Sequence, residues 1–585
     1  MTTNRMRSVA ELRRAYRTGD TTPERVLEGI YARIRSEGER PIWITTVDRN
    51  SAVARARAID LSLPLGGVPF AVKDTFDVAG MPTTAACPAF TRVATATAPA
   101  VQRLLDAGAI LVGKTNLDQF ATGLVGTRSP YGVCRNPFDA RFISGGSSSG
   151  SAVATATGLC AFALGTDTAG SGRVPAAFND LFGVKPTRGL ISYAGVVPAC
   201  RSLDCVSIFT TTAADGADVW RLAKGPDPGD PYSRVIPTGG DAAPWLAGAF
   251  RVGVPASSQL EFFGDAEAAR LYAEAVTRLE AAGGVITPID FSPFREASGL
   301  LYAGSWVAER FAAVGDFIAS HLDQVNPVVA GIIQNAANYS AADAYRCAYR
   351  LQDLIAAASC EWGRMDVLLL PTAATIYTVE QIERDPLALN FNLGLYTHFV
   401  NLMDLAAVSV PAGFRANGLP FGVSLIGPAF SDEALLAVAA KLSGEPADVG
   451  PPPGTVLVAV VGAHLRGQPL NHQLLERGAR FVRQCRTSRE YRLFALANTT
   501  PPKPGMLRDP AFIGPGMVVE VWAVPEDEFG AFVARVPPPL TIGSVSLDDG
   551  SSVKGFLCES SAIPMSDEIT SFGAWTEYLE SLALR

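Results

Sequence analysis

The segment from Arg141 to Arg173 reads RFISGGSSSGSAVATATGLCAFALGTDTAGSGR, and the organisation of the chain is predicted outward from it. A Gly/Ser-rich loop, Ser144–Ser151, precedes an Ala/Val/Thr segment of helical length that ends at Gly158. The apolar run Cys160–Gly165 is typical of a buried strand, and a second polar, Gly-rich turn, Thr166–Gly172, follows it. Two hydroxyl-rich turns around one helix and one strand can bring their serines together in space.

The second turn has the composition of an oxyanion-binding loop. Gly170 lets the backbone before Ser171 point its amide groups at a ligand without steric cost. Asp167 and Arg173 flank the turn and are expected to pair across it. Ordinary loops are the alternative interpretation. A nucleotide-phosphate loop is disfavoured, because no Gly-Lys-Ser/Thr ending and no Gly-x-Gly-x-x-Gly stands here.

Lys73 is the candidate general base for serine chemistry. The chain has seven lysines against 42 arginines, and Lys73 follows the apolar run Val68–Val72, which predicts the end of a buried strand. A desolvated lysine loses basicity and can be neutral near pH 7. Such a lysine can replace the histidine of a catalytic triad. The four histidines lie far from both turns in sequence: His321, His398, His464 and His472.

Lys114 is a second candidate base. It ranks below Lys73 because it lacks the long apolar run. Gly108–Thr115 also fits Gly-x-x-x-x-Gly-Lys-Thr formally. Its middle is a strand-like Ile-Leu-Val run rather than a flexible loop, so we interpret the fit as a chance match.

Three separated motifs resemble the amidase signature family over about residues 20–440. They are a Lys after an apolar strand, GGSSSGS at 145–151 and GTDTAGSGR at 165–173. The resemblance implies that Ser171 is the nucleophile, that Lys73 is the base, and that Ser147 bridges them with its preceding peptide bond in cis. It also implies an oxyanion hole formed by the amides of Thr168, Ala169, Gly170 and Ser171.

Within that family, VPFAVKDTFDVAGMPTTAACPAF and TNLDQFATGLVGTRSPYG are most similar to the allophanate hydrolases. In that group a Tyr and an Arg bind the two ends of the substrate, which implies this role for Tyr302 and Arg310. The chain predicts one long helix, Phe294–His321, with both on the same side, and Arg suits a carboxylate. A core Tyr and a surface Arg is the alternative. The Thr122-Gly123 turn is a candidate for substrate contact or for a conformational role.

The fold class predicted is α/β. Helix and strand patterns alternate at Pro99–Thr115 and again from Phe250, so we expect an amidase-signature mixed, largely parallel sheet flanked by helices over residues 1–443. Residues 444–455 are a Pro/Gly linker by composition. Residues 456–585 show strand alternation with few helices, which indicates a small C-terminal α+β domain.

The stretch GAHLRGQPLNHQLLERGA, at 462–479, resembles the C-terminal domain of allophanate hydrolases. In that family this domain is proposed to decarboxylate the first product, which implies a catalytic role for His464. The alternative is that His464 caps a strand end. Arg466 stands where the family has a small residue, which weakens the transfer.

Composition excludes several other classes of protein. The 585 residues carry a net charge of −8 with no basic block, so no nucleic-acid surface built on charge is expected. The nine cysteines show no C-x-x-C pair and no metal spacing, so we expect no metal and reduced thiols. No signal peptide and no run of 18 apolar residues is seen, which favours a cytoplasmic protein without membrane contact.

The resemblance therefore implies hydrolysis of a small-molecule substrate, allophanate, to ammonia and CO₂ without a cofactor. No Ala-Met-Lys-Met biotin site is present, so a separate biotin-dependent urea carboxylase is expected to supply the substrate. A homodimer is expected. Three alternatives stay open: another amidase-signature amidohydrolase, a tRNA-dependent amidotransferase subunit, and a non-catalytic scaffold with an amidase fold.

Overall fold

The computed structural model describes residues 6–38, 40–237, 249–445, 455–497, 499–548 and 550–583, without the side chains of residues 303, 480 and 583. The chain divides into two compact units, residues 1–447 and 448–585. The division falls in the stretch predicted as a linker, of which residues 446–454 lie outside the described part.

The first unit is built on one large sheet and a small ribbon. Its strands are β1 (Trp43–Thr46), β2 (Pro69–Lys73), β3 (Pro82–Thr83), β4 (Arg92–Val93), β5 (Ile110–Thr115), β6 (Phe162–Asp167), β7 (Phe182–Lys185), β8 (Cys205–Thr210), β9 (Phe250–Pro255), β10 (Gly284–Ile289), β11 (Val367–Pro371), β12 (Leu405–Phe414) and β13 (Pro420–Pro428). The eleven-stranded sheet has the order β1-β5-β2-β6-β8-β7-β12-β13-β11-β9-β10, while β3 and β4 pair separately.

Helices surround this sheet. They are α1 (Val9–Thr18), α2 (Pro23–Ser36), α3 (Arg49–Ala58), α4 (Pro99–Asp106), α5 (Ser149–Ala156), α6 (Val174–Phe178), α7 (Ala213–Ala223), α8 (Ala266–Ala281), α9 (Ser292–Ala303), α10 (Val307–Ser320), α11 (Pro327–Gln334), α12 (Ala341–Trp362), α13 (Val379–Arg384), α14 (Ala388–Leu393), α15 (His398–Leu402) and α16 (Asp432–Ser443).

Local sequence signals set the ends of the first helices. The Ser8 hydroxyl accepts a hydrogen bond from the Glu11 amide at 3.2 Å, and the Glu11 carboxylate accepts one from the Ser8 amide at 2.8 Å. This capping box starts α1, and Gly19 ends it in the left-handed conformation. Thr22 caps α2, with Pro23 at its first position.

The sheet is mixed, as predicted, but parallel pairs are not its majority. Strands β5, β2 and β6 pair in parallel, as do β11, β9 and β10, while the other neighbours in the sheet are antiparallel. The parallel pairs include the places where a helix precedes a strand, such as α4 before β5 and α8 before β10. The sequence alternation signalled these crossovers. It did not signal the antiparallel centre, where the short segment 415–419 joins β12 to β13.

Two helix predictions need correction. The predicted helix Phe294–His321 is two helices, α9 and α10, because Gly304 adopts an extended backbone. A Cβ on Gly304 would lie 2.3 Å from the Leu300 carbonyl oxygen, so this close approach requires glycine. The sequence also predicts a helix over Arg55–Leu61. The structure has α3 there instead, which starts earlier, at Arg49, because the Asp48 carboxylate accepts a hydrogen bond from the Ser51 amide at 2.9 Å.

Alternation along the strands builds a core on each face of the sheet. Val367 and Leu369 of β11 belong to one apolar cluster, and Leu368 and Leu370 belong to another. In β2 the same alternation places Lys73 on the face of Ala71, which packs in a cluster with α5. Since β5, β2 and β6 run parallel, their carboxyl ends meet at one edge beside α5.

The second unit contains two smaller sheets. Its strands are β14 (Thr455–Val460), β15 (Arg480–Arg486), β16 (Tyr491–Ala495), β17 (Pro504–Arg508), β18 (Val518–Pro525), β19 (Leu540–Ser546), β20 (Ser552–Cys558) and β21 (Asp567–Glu568), and its helices are α17 (His472–Leu475), α18 (Glu526–Val533) and α19 (Trp575–Ala583). One sheet has the order β15-β18-β14-β20-β19 and the other β17-β16-β21. The predicted α+β class is confirmed.

None of the helices in the described ranges combines the length and the apolar character needed to cross a membrane.

Candidate active site

Lys73 lies at the carboxyl end of β2 with its side chain fully buried. Its Nζ atom donates to three hydroxyls: Ser147 Oγ at 2.7 Å, Ser148 Oγ at 3.1 Å and Thr166 Oγ1 at 2.7 Å. Burial lowers the pKa of Lys73 to about 7, against the opposing fields of nearby carboxylates that include Asp118. A large fraction of this amine is therefore neutral at physiological pH.

Ser147 is presented to the lysine by an unusual backbone. The Gly146–Ser147 peptide bond is cis, as the resemblance implies. A Cβ on Gly146 would lie 2.1 Å from Asp118 Oδ2, so glycine is required there. The Asp118 amide also donates to the Ser147 carbonyl at 3.0 Å. Asp118 therefore supports the peptide that carries Ser147, a role that sequence reasoning missed inside the motif TNLDQF.

Ser171 lies in the turn after β6 and is 3% exposed. Its hydroxyl donates to the Gly123 carbonyl at 3.5 Å, which places the predicted Thr122-Gly123 turn against the predicted nucleophile. Ser171 and Ser147 both belong to the described residues and share no direct hydrogen bond. The arrangement brings Lys73 and Ser147 into contact and leaves Ser171 turned toward Gly123.

The turn that carries Ser171 is held by a buried ion pair. Arg173 Nε donates to Asp167 Oδ2 and Arg173 Nη2 to Asp167 Oδ1, both at 2.9 Å, which confirms the expected pairing. The same carboxylate accepts from the Gly170 amide at 2.9 Å and from the Gly172 amide at 3.0 Å. Asp167 thus fixes both ends of a turn whose central residue is the candidate nucleophile.

This geometry sharpens the prediction for the oxyanion hole. The Gly170 amide is committed to Asp167, so the contribution of Gly170 is conformational: its φ is +128° and a Cβ would lie 2.4 Å from Thr397 Oγ1. Among the described residues, the amides of Thr168, Ala169 and Ser171 have no protein acceptor. Thr168, Ala169 and Ser171 are therefore the better candidates for donors to an oxyanion.

Lys114, the second candidate base, is engaged elsewhere. Its Nζ lies 2.9 Å from Asp74 Oδ1 and donates to Thr83 Oγ1 at 2.7 Å, and the Lys114 and Asp74 side chains are fully buried. Burial lowers the pKa of Lys114, and the Asp74 carboxylate opposes that shift. Lys114 is thus half of an ion pair, which favours a structural role.

The structure brings the predicted substrate-binding residues together across two helices. Arg310 on α10 is buried, and its Nη2 donates to the hydroxyl of Tyr302 on α9 at 3.3 Å. Arg310 Nη1 donates to Thr122 Oγ1 at 3.1 Å, next to Gly123. The guanidinium of Arg310 therefore contacts the residue next to Gly123, whose carbonyl accepts the hydrogen bond from the Ser171 hydroxyl.

Tyr302 also lines a mostly apolar cleft of about 700 Å³. Leu387, which is 57% exposed, lines the same cleft, so the cleft opens to solvent. Asn390 belongs to it too, and its side-chain oxygen accepts from the Leu124 amide at 2.8 Å. The cleft thus reaches the neighbourhood of Arg310 and Gly123 from outside.

His398 is a further buried group beside this site that sequence reasoning did not single out. Its ring packs against the rings of Tyr302 and Phe391, with centroids 5.1 and 5.9 Å apart. Burial lowers the pKa of His398 to about 3, and the nearby Arg173 and Arg310 lower it further. His398 is therefore a neutral imidazole at the back of Tyr302.

His464 lies in the second unit, beside a cavity of about 240 Å³. Its Nε2 is 3.2 Å from Gln473 Oε1, and its ring stacks on Phe556 at 4.9 Å. Burial lowers the pKa of His464, and Lys503 adds to that shift. Lys503 and Arg535 line the same cavity, so the imidazole and two basic side chains face one small space.

The residues that the structure describes contain no group of three or more His, Cys, Asp and Glu side chains arranged to hold a metal ion.

We expect Arg173→Met to lower the free energy of unfolding by about 3–5 kcal/mol, because it leaves the buried Asp167 carboxylate without its counter-ion. Urea denaturation followed by circular dichroism measures the loss. Arg350→Met is the matched control: Arg350 pairs with Glu296 at an exposed position, so its loss should cost less than about 1 kcal/mol. Similar losses in the two variants would contradict the structural role of the Asp167–Arg173 pair.

Comparison with known proteins assigns both units. Residues 25–436 match the amidase family, and residues 456–580 match the allophanate hydrolase C-terminal domain. The chain is 34% identical over 461 residues to one subunit of the glutamyl-tRNA(Gln) amidotransferase of Acidobacterium capsulatum. That alignment covers 73% of this chain and 96% of the amidotransferase chain.

Longer matches span both units. The chain is 42% identical over 602 residues to the urea amidolyase of Lachancea kluyveri, covering 96% of this chain and 33% of that protein, so it spans about a third of that relative's length. The structure of the allophanate hydrolase of Kluyveromyces lactis superposes with a TM-score of 0.76 at 40% identity. That superposition covers 98% of this chain and 99% of the other. The chain therefore belongs to the amidase family and carries an allophanate hydrolase C-terminal domain.

Proposed function

We propose that the protein is an allophanate hydrolase whose first domain, residues 1–443, releases ammonia from the terminal amide of allophanate. The observation that carries the proposal is the contact between a buried, largely neutral Lys73 and Ser147, beside the turn of Ser171. A buried amine in contact with a hydroxyl, next to a second serine in a Gly-rich turn, is suited to nucleophilic acyl transfer.

In the proposed mechanism, Ser171 Oγ attacks the amide carbonyl carbon while its proton passes to Ser147, whose own proton passes to Lys73 Nζ. The Ser171 hydroxyl must rotate from Gly123 toward Ser147 for this transfer. Amides of Thr168, Ala169 and Ser171 stabilise the tetrahedral oxyanion, a contribution of about 3–4 kcal/mol per donor in comparable hydrolases. Ser147 then returns a proton to the leaving ammonia, and water hydrolyses the acyl-enzyme to N-carboxycarbamate.

Specificity for allophanate is proposed to come from the opposite end of the substrate. Arg310 offers a bidentate fork for the carboxylate, and Tyr302 adds a hydroxyl beside it. Thr122 and Gly123 lie between this pair and Ser171. An amide that carries a carboxylate two atoms away from its carbonyl would thus be held at both ends.

The relatives support this substrate over the alternatives. The structure that superposes on 98% of the chain is named an allophanate hydrolase, and the amidotransferase match covers only 73% of this chain. The second domain has no counterpart in that shorter match and belongs to the allophanate hydrolase C-terminal family. A non-catalytic scaffold is disfavoured because Lys73 contacts Ser147 and the chain also keeps Ser171 in its Gly-rich turn.

The second domain, residues 456–585, is proposed to decarboxylate N-carboxycarbamate. Lys503 and Arg535 would bind this dianion in the cavity that His464 lines. A bound dianion raises the pKa of His464, so the imidazole can take up a proton and deliver it to the nitrogen as CO₂ leaves. The interpretation of His464 as a simple strand cap is the competing proposal.

We also propose a cytoplasmic homodimer whose substrate is supplied by a biotin-dependent urea carboxylase. The nine cysteines all lie in the described ranges and form no disulfide bond there, which supports a reducing compartment. The match to proteins named urea amidolyase, of which this chain spans about a third, supports a functional link to urea metabolism.

Steady-state release of ammonia from allophanate, biuret, malonamide and glutamine tests the proposed substrate. We expect the highest kcat/KM for allophanate, and loss of nearly all ammonia release in Ser171→Ala with the circular dichroism spectrum unchanged. A preference for glutamine, stimulated by charged tRNA, would instead support the amidotransferase alternative. Retention of more than a few per cent of the activity in pure Ser171→Ala would remove Ser171 as the nucleophile.

Lys73→Arg should be nearly inactive, because a guanidinium cannot give up its proton near neutral pH. In the wild type, kcat/KM should rise with pH through about 7, since Lys73 becomes a base as it loses its proton. The matched control is Lys114→Arg, which keeps a cation beside Asp74 and should retain activity if it folds. Robust hydrolysis by Lys73→Arg would show that the lysine acts only as a positive charge.

Arg310→Leu should lower kcat/KM for allophanate. The lost transition-state binding free energy should be about 2–5 kcal/mol, the range for removing one partner of a buried charge pair. Biuret is the internal control, because a carboxamide replaces the carboxylate and never used the charge. A loss of the same size on both substrates would mean that Arg310 supports the fold rather than the carboxylate.

His464→Ala should leave the first ammonia release unchanged and delay CO₂, because N-carboxycarbamate would then decay only spontaneously. Stopped-flow traces of both products, for His464→Ala and for a protein ending at Ser443, measure the delay. His472→Ala is the matched control, since this neighbouring histidine is exposed and bonds the Pro469 carbonyl. Identical ratios of CO₂ to ammonia over time in every variant would remove the second active site.

A further inference from the structure

The loop from Ala199 to Asp204 contacts the turn that carries the candidate nucleophile. Asp204 is buried, and its Oδ1 accepts from the hydroxyl of Thr168 at 2.5 Å. The same carboxylate accepts from the amides of Ala199 at 2.9 Å and Cys200 at 3.1 Å, which folds the loop around it. One end of this loop is therefore bound to the turn that carries Ser171.

The other side of the loop contacts the helix that carries Arg310. The Ser202 amide donates to Glu309 Oε1 at 2.6 Å, and the Ser202 hydroxyl donates to Glu309 Oε2 at 2.7 Å. Cys200 Sγ lies 3.8 Å from the carbonyl of Trp306, the residue that precedes α10. Glu309 lies in the first turn of α10, immediately before Arg310.

This second contact matters because α10 does not continue the hydrogen-bonded turns of α9. Gly304 is extended and interrupts the helix, so contacts outside α9 contribute to the position of α10. Two charge-assisted hydrogen bonds to one carboxylate hold a backbone amide and a hydroxyl in a fixed geometry. Glu309, which accepts both bonds, immediately precedes Arg310, whose guanidinium contacts Thr122.

We propose that Glu309 is a positioning residue for substrate specificity. Through Ser202 and the Ala199–Asp204 loop, Glu309 holds Arg310 at a fixed distance from the turn that carries Ser171. The part of this inference that concerns specificity rests on the proposed function. The loop links the two ends of the proposed substrate site. Its Asp204 binds the turn where the amide would react, and its Ser202 binds Glu309 on the helix where the carboxylate would be recognised. Glu309 itself is not expected to contact the substrate.

The test compares Glu309→Gln and Ser202→Ala with a matched control, Glu296→Gln, in the full-length protein. Glu296 is an exposed carboxylate on α9 that accepts two hydrogen bonds from Arg350, so its variant removes the same charge and one acceptor of a similar pair of bonds away from the loop. Two readouts are taken: hydrogen exchange of peptides covering residues 199–204 and 307–312, and steady-state kinetics with allophanate and biuret.

In Glu309→Gln we expect exchange in both peptides to rise about tenfold, and KM for allophanate to rise about tenfold with kcat retained. The kcat/KM for biuret should change less than twofold. Ser202→Ala keeps the backbone bond and should show a smaller effect, of about threefold. Glu296→Gln should resemble the wild type in both readouts.

Unchanged hydrogen exchange at 307–312 in Glu309→Gln would show that the Glu309–Ser202 contact does not anchor the start of α10, whatever the substrate is. Faster exchange with an unaltered ratio of allophanate to biuret would overturn the positioning role. If the wild type fails to hydrolyse allophanate, the proposed function fails, and the exchange measurement still decides whether Glu309 anchors α10.

Discussion

Desolvation of one amine is the constraint on which the site depends. Lys73 ends a strand that is buried along its whole length, and its Nζ contacts three hydroxyls instead of water. An ammonium in such surroundings is costly, so its pKa falls toward 7. The parallel strands β5, β2 and β6 provide this environment at their common carboxyl edge, and the two serine turns are placed around it.

Two buried carboxylates keep those turns in place. Asp118 binds the amides of Val125, Gly126 and Arg128 and supports the peptide of Ser147. Asp167 binds Arg173 and two amides of the turn of Ser171. Each carboxylate accepts several hydrogen bonds, which offsets the cost of burying its charge. The backbone of the loops near the candidate reaction centre is thus held by several buried hydrogen bonds to each carboxylate.

The sequence predicted the elements more completely than their connections. GGSSSGS and the turn of Ser171 carry motifs whose residues pack together, so the Lys73–Ser147 contact was foreseeable. The break at Gly304 was not, since apolar periodicity runs through it from α9 to α10. Asp204 and Glu309 were also missed, because a side chain that bonds a distant loop leaves no periodic pattern. Hydrogen bonds between remote segments, unlike helix caps, have no local spacing.

The most direct test of the central claim is the pKa of Lys73 itself. Two-dimensional NMR of lysine labelled with ¹³C at the ε position can follow all seven lysines as pH changes, and Lys73→Arg identifies the relevant signal. Desolvation predicts that this signal titrates near pH 7, well below the usual value of about 10.4. A Lys73 signal that titrates above pH 10 would contradict the account, because the amine would then be charged and unable to accept a proton from Ser147.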